Sequence, residues 1–321
     1  MIIDTLTSPI ILFFALGMFA GFARSDLAIP EALAKGMAIY LMAAIGLKGG
    51  VEVSKSGLTD ALLLAGAAGM AFSFLLPFPA FGLLRSFGRL DRTNSAAVAA
   101  HYGSVSLVTF ITANEMLASS GLAAAGFMVA VLALMETPAI ISSLLLARRG
   151  QASDDPGSAT GGNHLWREVL LNASVVLLIG AFFIGVIAGE KGFAPIKPVF
   201  DTGYKGILCL FLLDMGLIAA RRLRETRAMT FRLALIAIVL PFVNGLAGVF
   251  VGTMIGLDPG TAAMLGVLTA SASYIAVPAA MRLALPAADP GIYLSMSLGI
   301  TFPFNIIVNI ALLASVARMI G

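Results

Sequence analysis

SAAVAAHYGSVSLVTFITA, residues 95–113, begins and ends like a membrane helix and departs from one in its middle. SAAVAA and LVTFITA are apolar enough to lie in lipid, but between them stand His101, Tyr102, Gly103, Ser104 and Ser106. Glycine weakens a helix, and serine competes with the backbone for its own hydrogen bonds. Backbone groups freed inside a bilayer are costly unless they face protein, a cavity or a ligand. The stretch therefore predicts a membrane helix broken at its centre.

The rest of the chain sets that break in lipid. Of its 321 residues 59% are hydrophobic and 12% charged, against about 25% charged in soluble domains, and the mean hydropathy is +0.99. A soluble fold of this size needs a polar skin that this composition cannot supply, so the reading is an all-α polytopic membrane protein. One cysteine, Cys209, excludes a disulfide framework and a cysteine metal cluster. The net charge of +3 comes from loops, which does not suggest nucleic acid. No Lys or Arg precedes the first apolar run, so that run is expected to be the first span and not a cleaved signal.

Ten apolar segments follow one another at roughly 8–23, 30–47, 58–84, 94–119, 122–147, 167–189, 197–220, 229–256, 260–285 and 291–317. A Gly-, Ser- and Asp-rich stretch divides five from five. The expected organisation is a first repeat over 1–148, a linker loop over 149–166 and a second repeat over 167–321. With ten spans the termini share a side, and 14 of the 20 Lys and Arg fall on the opposite one. The positive-inside rule then places 149–166 in the cytoplasm and both termini outside.

The halves resemble each other in order, at an offset of 164–170 residues. Gly17 and Gly21 match Gly185 and Gly189; IGLKGG (45–50) matches MGLIAA (215–220); Leu76-Pro77-Phe78 matches Leu240-Pro241-Phe242. Ser104-Val105-Ser106 matches Ser271-Ala272-Ser273, and Pro138 matches Pro303. Because each half has an odd number of spans, such repeats lie inverted in the membrane, with the fourth and ninth helices broken and crossing. That is a transporter architecture, with its site where discontinuous helices meet.

The start of a half-helix carries partial positive charge and free N–H donors, a seat for a small anion. Gly103, Ser104, Val105, Ser106, Ser271, Ala272 and Ser273 are thus candidate oxyanion ligands, serine donating without adding charge. Small residues and back-bonded serines also simply pack helices. His101 reads as a packing or hydrogen-bonding residue. Buried charge is expensive in a membrane and marks function. Glu136 and Asp214, with the neutral oxygens of Asn244, Thr269, Thr301, Asn305 and Asn309, suit a hard cation. From these the candidate cation set is Glu136, Asp214, Asn244, Thr269 and Asn305. Either carboxylate has another reading: Glu136 as a cap on backbone freed by Pro138, Asp214 as a partner of the Arg221 cluster. An anion entering a negative cell is opposed by roughly 2.3 kcal/mol per charge per 100 mV, which a co-transported cation cancels.

PIILFFALGMFAGFARSDLAIP (9–30), YLMAAIGLKGGVEVSKSG (40–57), HYGSVSLVTFITA (101–113) and SASYIAVPAAMR (271–282) closely resemble the sodium-dependent bicarbonate transporters first known from cyanobacteria. The resemblance spans nearly the whole chain. It implies a ten-helix inverted repeat in the cell membrane, a homotrimer, and sodium-coupled bicarbonate uptake with no cofactor beyond the ion. It further implies a PII-like regulatory partner on the cytoplasmic face, and it matches Gly103–Ser106 and Ser271–Ser273 to segments lining the bicarbonate site. The rivals are a sodium/proton antiporter, a symporter of another small anion, and a membrane hydrolase using His101 and Ser104. The last lacks a third orienting group, so no enzyme is expected.

The charge count makes a direct prediction. A cysteine at position 158 should resist a membrane-impermeant thiol reagent applied from outside, and one at position 4 should react. The reverse pattern would overturn the orientation.

Overall fold

The computed structural model describes residues 9–57, 59–136, 138–148, 173–225, 229–274 and 276–321. It is 82% helix, with no strand among the described residues. In chain order the helices are α1 (Pro9–Phe22), α2 (Glu31–Ser56), α3 (Asp60–Leu75), α4 (Pro77–Ser86), α5 (Arg92–Gly103), α6 (Leu107–Ser119), α7 (Met128–Met135) and α8 (Pro138–Arg148). After the break in description come α9 (Ala173–Phe193), α10 (Tyr204–Glu225), α11 (Phe231–Met254), α12 (Pro259–Ala270), α13 (Ala276–Ala284) and α14 (Pro290–Ile320). Every one of the ten expected segments carries helix, and six stretches are long and apolar enough to cross a membrane on length and composition alone. The expected linker, 149–166, lies outside the described residues.

Polar residues start these helices where their backbone donors would otherwise be orphaned. Thr59 accepts from Leu62 N–H and Thr230 from Leu233 N–H. Asp91 accepts from Asn94 N–H, and Asp258 from Thr261 N–H, 167 residues later. The two broken helices therefore begin alike, and α5 and α12 are both 12 residues long.

Contacts between loops agree with ten crossings. Arg224 and Arg221 donate to the Gly21 and Leu27 carbonyls, Arg92 to those of Leu146 and Ala147, and the Asp289 N–H donates to Asn94. The span count places all of these on one side. On the other side Lys48 pairs with Asp201 at 2.6 Å, Lys55 with Glu190, and the Ala125 N–H donates to Thr261. Large apolar side chains such as Phe19, Leu63, Phe183 and Phe250 point outward, as lipid-facing residues do.

Two differences from the sequence reading have packing causes. The segment expected over 30–47 continues as α2 to Ser56, through GLKGG, and stops at Gly57 (φ 72°). The glycines inside it are sites of contact, not breaks. A Cβ at Gly49 would fall 2.7 Å from Val129 Cγ2, and one at Gly50 2.8 Å from the Val186 nitrogen. In the other pairing, a Cβ at Gly216 would fall 2.8 Å from the Met18 nitrogen. Thus α2 packs along α9 through Gly50 and Gly185, and α1 along α10 through Gly17 and Gly216. The second difference follows: Gly216 plays the part of Gly50, one helical turn beyond its partner in the IGLKGG/MGLIAA match.

Replacing Gly50 by leucine should therefore destabilise the protein by about 1–3 kcal/mol or more through overpacking. At Gly36 nothing lies within 4 Å of an added Cβ, so alanine there should add about 0.5–1 kcal/mol of helix stability. Thermal melting of the purified variants tests the contrast; a Gly50→Leu protein melting with the native one would refute it.

Candidate functional site

The two breaks meet. Helix α5 ends at Gly103; Ser104 and Ser106 are extended (φ −88°, ψ 178° and φ −111°, ψ 113°); α6 resumes at Leu107. Helix α12 ends at Ala270 and Ser271 is likewise extended (φ −80°, ψ 161°). The Ser106 N–H donates to Ser271 Oγ at 3.0 Å, and the Ser273 N–H to the His101 carbonyl at 2.9 Å. Each break satisfies a backbone group of the other, as freed amides inside a bundle require. Residues 95–106 are all buried.

The serines divide into two roles. Ser104 Oγ donates to the Glu136 carbonyl at 3.3 Å, and Ser271 Oγ donates to the Leu268 carbonyl at 2.8 Å. These two stitch the break together. Ser106 Oγ accepts from both Thr109 N–H and Thr109 Oγ1, and Ser273 Oγ accepts from Val277 N–H at 3.3 Å. Both therefore cap the returning half-helices and keep a hydroxyl proton to give, Ser106 with Tyr274 beside it. Leu107 and Val108 open α6, where first-turn N–H groups have no partner within the helix. Gly103 also admits close helix packing: a Cβ there would lie 2.6 Å from Pro77 Cδ and 2.9 Å from Ala139 Cβ.

Oxygen donors gather at the far side of the crossing. The Thr269 hydroxyl donates to the Asn244 carbonyl at 2.8 Å, and Asn305 Nδ2 to the Ala270 carbonyl at 2.9 Å. Asn309 Nδ2 donates to Asn305 Oδ1 at 2.8 Å. That commits the Asn305 oxygen and leaves Asn309 Oδ1 buried without a partner. Asn309, outside the five-residue cation set, is thus the asparagine with oxygen to spare. Pro241 explains another member: lacking an N–H, it frees the Ala237 carbonyl one turn back, and Thr301 Oγ1 donates to it at 2.6 Å. Tyr102 completes that chain through its hydrogen bond with Thr301.

Glu136 is buried at the gap between α7 and α8. Ser73 bridges this gap, its hydroxyl donating to the Met135 carbonyl at 2.6 Å and accepting from the Ala139 N–H. The Glu136 side chain is therefore not needed to cap the backbone there. Asp214 is buried on α10, which packs against α1, α2 and residues 295–301 of α14. No three His, Cys, Asp or Glu side chains cluster among the described residues. His101 and Ser104 do not pair: His101 Nδ1 bonds the Ala97 carbonyl at 2.6 Å, and Ser104 is engaged with Glu136.

Two crossed half-helix starts thus bring neutral donors and neutral acceptors together in one buried region. Comparison with curated proteins gives no match. The family model described as the Na+-dependent bicarbonate transporter superfamily matches residues 9–318, and the chain belongs to that superfamily.

Proposed function

We propose that the protein takes up bicarbonate by symport with sodium, binding both at the crossing of the two broken helices. The observation that carries this reading is the reciprocal pair of hydrogen bonds, Ser106 N–H to Ser271 and Ser273 N–H to His101, which aims two helix starts at one region. Helix starts favour an anion, and hydroxyl and amide donors match carboxylate-like oxygens. Thr269, Asn244, Asn309 and Glu136 supply oxygens of the kind that hold a hard cation without a cluster of acids. Joining the two ions cancels the electrical opposition to anion entry.

The same reading takes the halves as inverted repeats. Its support is the offset of 167 shared by Asp91 and Asp258, Ser104 and Ser271, and Ser106 and Ser273. The exchanged pairing of α1 with α10 and α2 with α9 is also what a two-fold axis in the membrane plane produces.

Two measurements test the reading. In proteoliposomes, bicarbonate uptake should stop when choline replaces sodium. Glu136→Gln should raise the sodium concentration for half-maximal uptake by about tenfold, the scale of one charged hydrogen-bonding partner. Undiminished uptake in choline would defeat sodium coupling.

The division among the serines gives a sharper test. Ser106→Ala and Ser273→Ala should each weaken bicarbonate binding roughly 5- to 150-fold, since each removes a proton donor to a buried anion. Ser104→Ala and Ser271→Ala, whose hydroxyls serve carbonyls, should instead cost about 1 kcal/mol of stability with a smaller change in affinity. Binding separates the two classes; melting does not, because Ser106 and Ser273 also cap helices and their loss costs about 1 kcal/mol as well. Native affinity in both Ser106→Ala and Ser273→Ala would remove the shared site.

A further inference from the structure

His101 is fully buried and half satisfied. Its Nδ1 lies 2.6 Å from the Ala97 carbonyl, which only accepts, so Nδ1 carries the proton and Nε2 presents a bare lone pair. Nε2 has no partner. The ring is held rigidly, stacked on Tyr293 with centroids 4.5 Å apart and planes at 26°. Its own carbonyl receives the Ser273 N–H, so the residue belongs to the crossing itself. A buried acceptor without a donor is destabilising, and a site kept at that cost calls for a reason.

The chemistry of the substrate supplies one. Bicarbonate is not only an anion: it carries one O–H, and a seat made solely of donors leaves that hydrogen unmatched. The serines that keep a proton, Ser106 and Ser273, already have their oxygens engaged by Thr109 and Val277. We infer that His101 is a specificity-determining residue, whose Nε2 accepts the hydrogen bond of the bicarbonate hydroxyl and so favours it over oxyanions with no O–H. This rests on the proposed bicarbonate site. Discrimination of this kind is strong because the analogue lacking the hydrogen leaves a buried polar group unpaired.

The test replaces His101 with phenylalanine, which keeps an aromatic ring against Tyr293 and removes the acceptor. Bicarbonate affinity should fall about tenfold, the scale of one hydrogen bond, and the preference for bicarbonate over nitrate should fall by the same factor. The ligand-free protein should melt no lower than native, because an unpaired acceptor has been deleted. If His101→Phe does not fold, His101→Gln and His101→Met make the same comparison, being of similar length with and without an acceptor; Gln should bind bicarbonate about tenfold more tightly than Met. Native affinity in His101→Phe, or equal affinity in the Gln and Met pair, overturns the inference. So does a loss shared equally by nitrate, which would mean that the ring only shapes the cavity. Failure of the native protein to bind bicarbonate would count instead against the proposed function.

Discussion

Two serine-rich breaks that hold each other's backbone are the constraint on which the rest of this structure depends. A helix interrupted inside a bilayer has donors and acceptors that water cannot reach. Here the Ser106 and Ser273 N–H groups are met from the opposite break. Neither interruption is tenable without the other, so the two halves of the chain must come together for either to fold. The smaller interruptions obey the same rule: Ser73 spans the gap before Pro138, and Thr301 takes the carbonyl that Pro241 releases.

That arrangement also explains why a binding seat can be made from neutral groups. A full positive charge buried to hold an anion would need its own partner when the site empties. Serine hydroxyls and helix-start amides are already oriented by the fold and carry only partial charge, so they favour an anion without trapping it. Under the proposed symport, a neutral oxygen such as Asn309 Oδ1 would do the same for a cation. Moderate affinity suits a transporter, which must release what it binds.

Close packing holds the flanking helices. Gly17 against Gly216 and Gly50 against Gly185 bring backbones together where any side chain would intrude, the means by which helices associate when lipid supplies no hydrophobic drive between them. Lysines of this region keep to its polar end, Lys48 with Asp201 and Lys205 with Glu115. Glycine consequently has two offices in this chain. At Gly57 it ends a helix with a positive φ, while at Gly50 and Gly103 it marks contact between neighbours.

Much was legible before any fold was known, because lipid imposes strong rules on composition. Ten apolar segments, their alternation, the break at HYGSVS and its echo at TASASY (269–274) follow from hydropathy, glycine and serine placement and the cost of unpaired backbone. What lay beyond the sequence depends on which atoms face each other. Ser104 and Ser106 are equivalent in composition, yet one hydroxyl meets the Glu136 carbonyl and the other caps a helix. GLKGG looks like a helix end, and only the backbone of α9 lying against it shows why two glycines continue one. Asn305 and Asn309 differ only in which amide oxygen a neighbour has claimed. Local chemistry determines where a membrane chain must bend; hydrogen-bond partners distant in sequence decide which of its polar atoms remain free for a ligand.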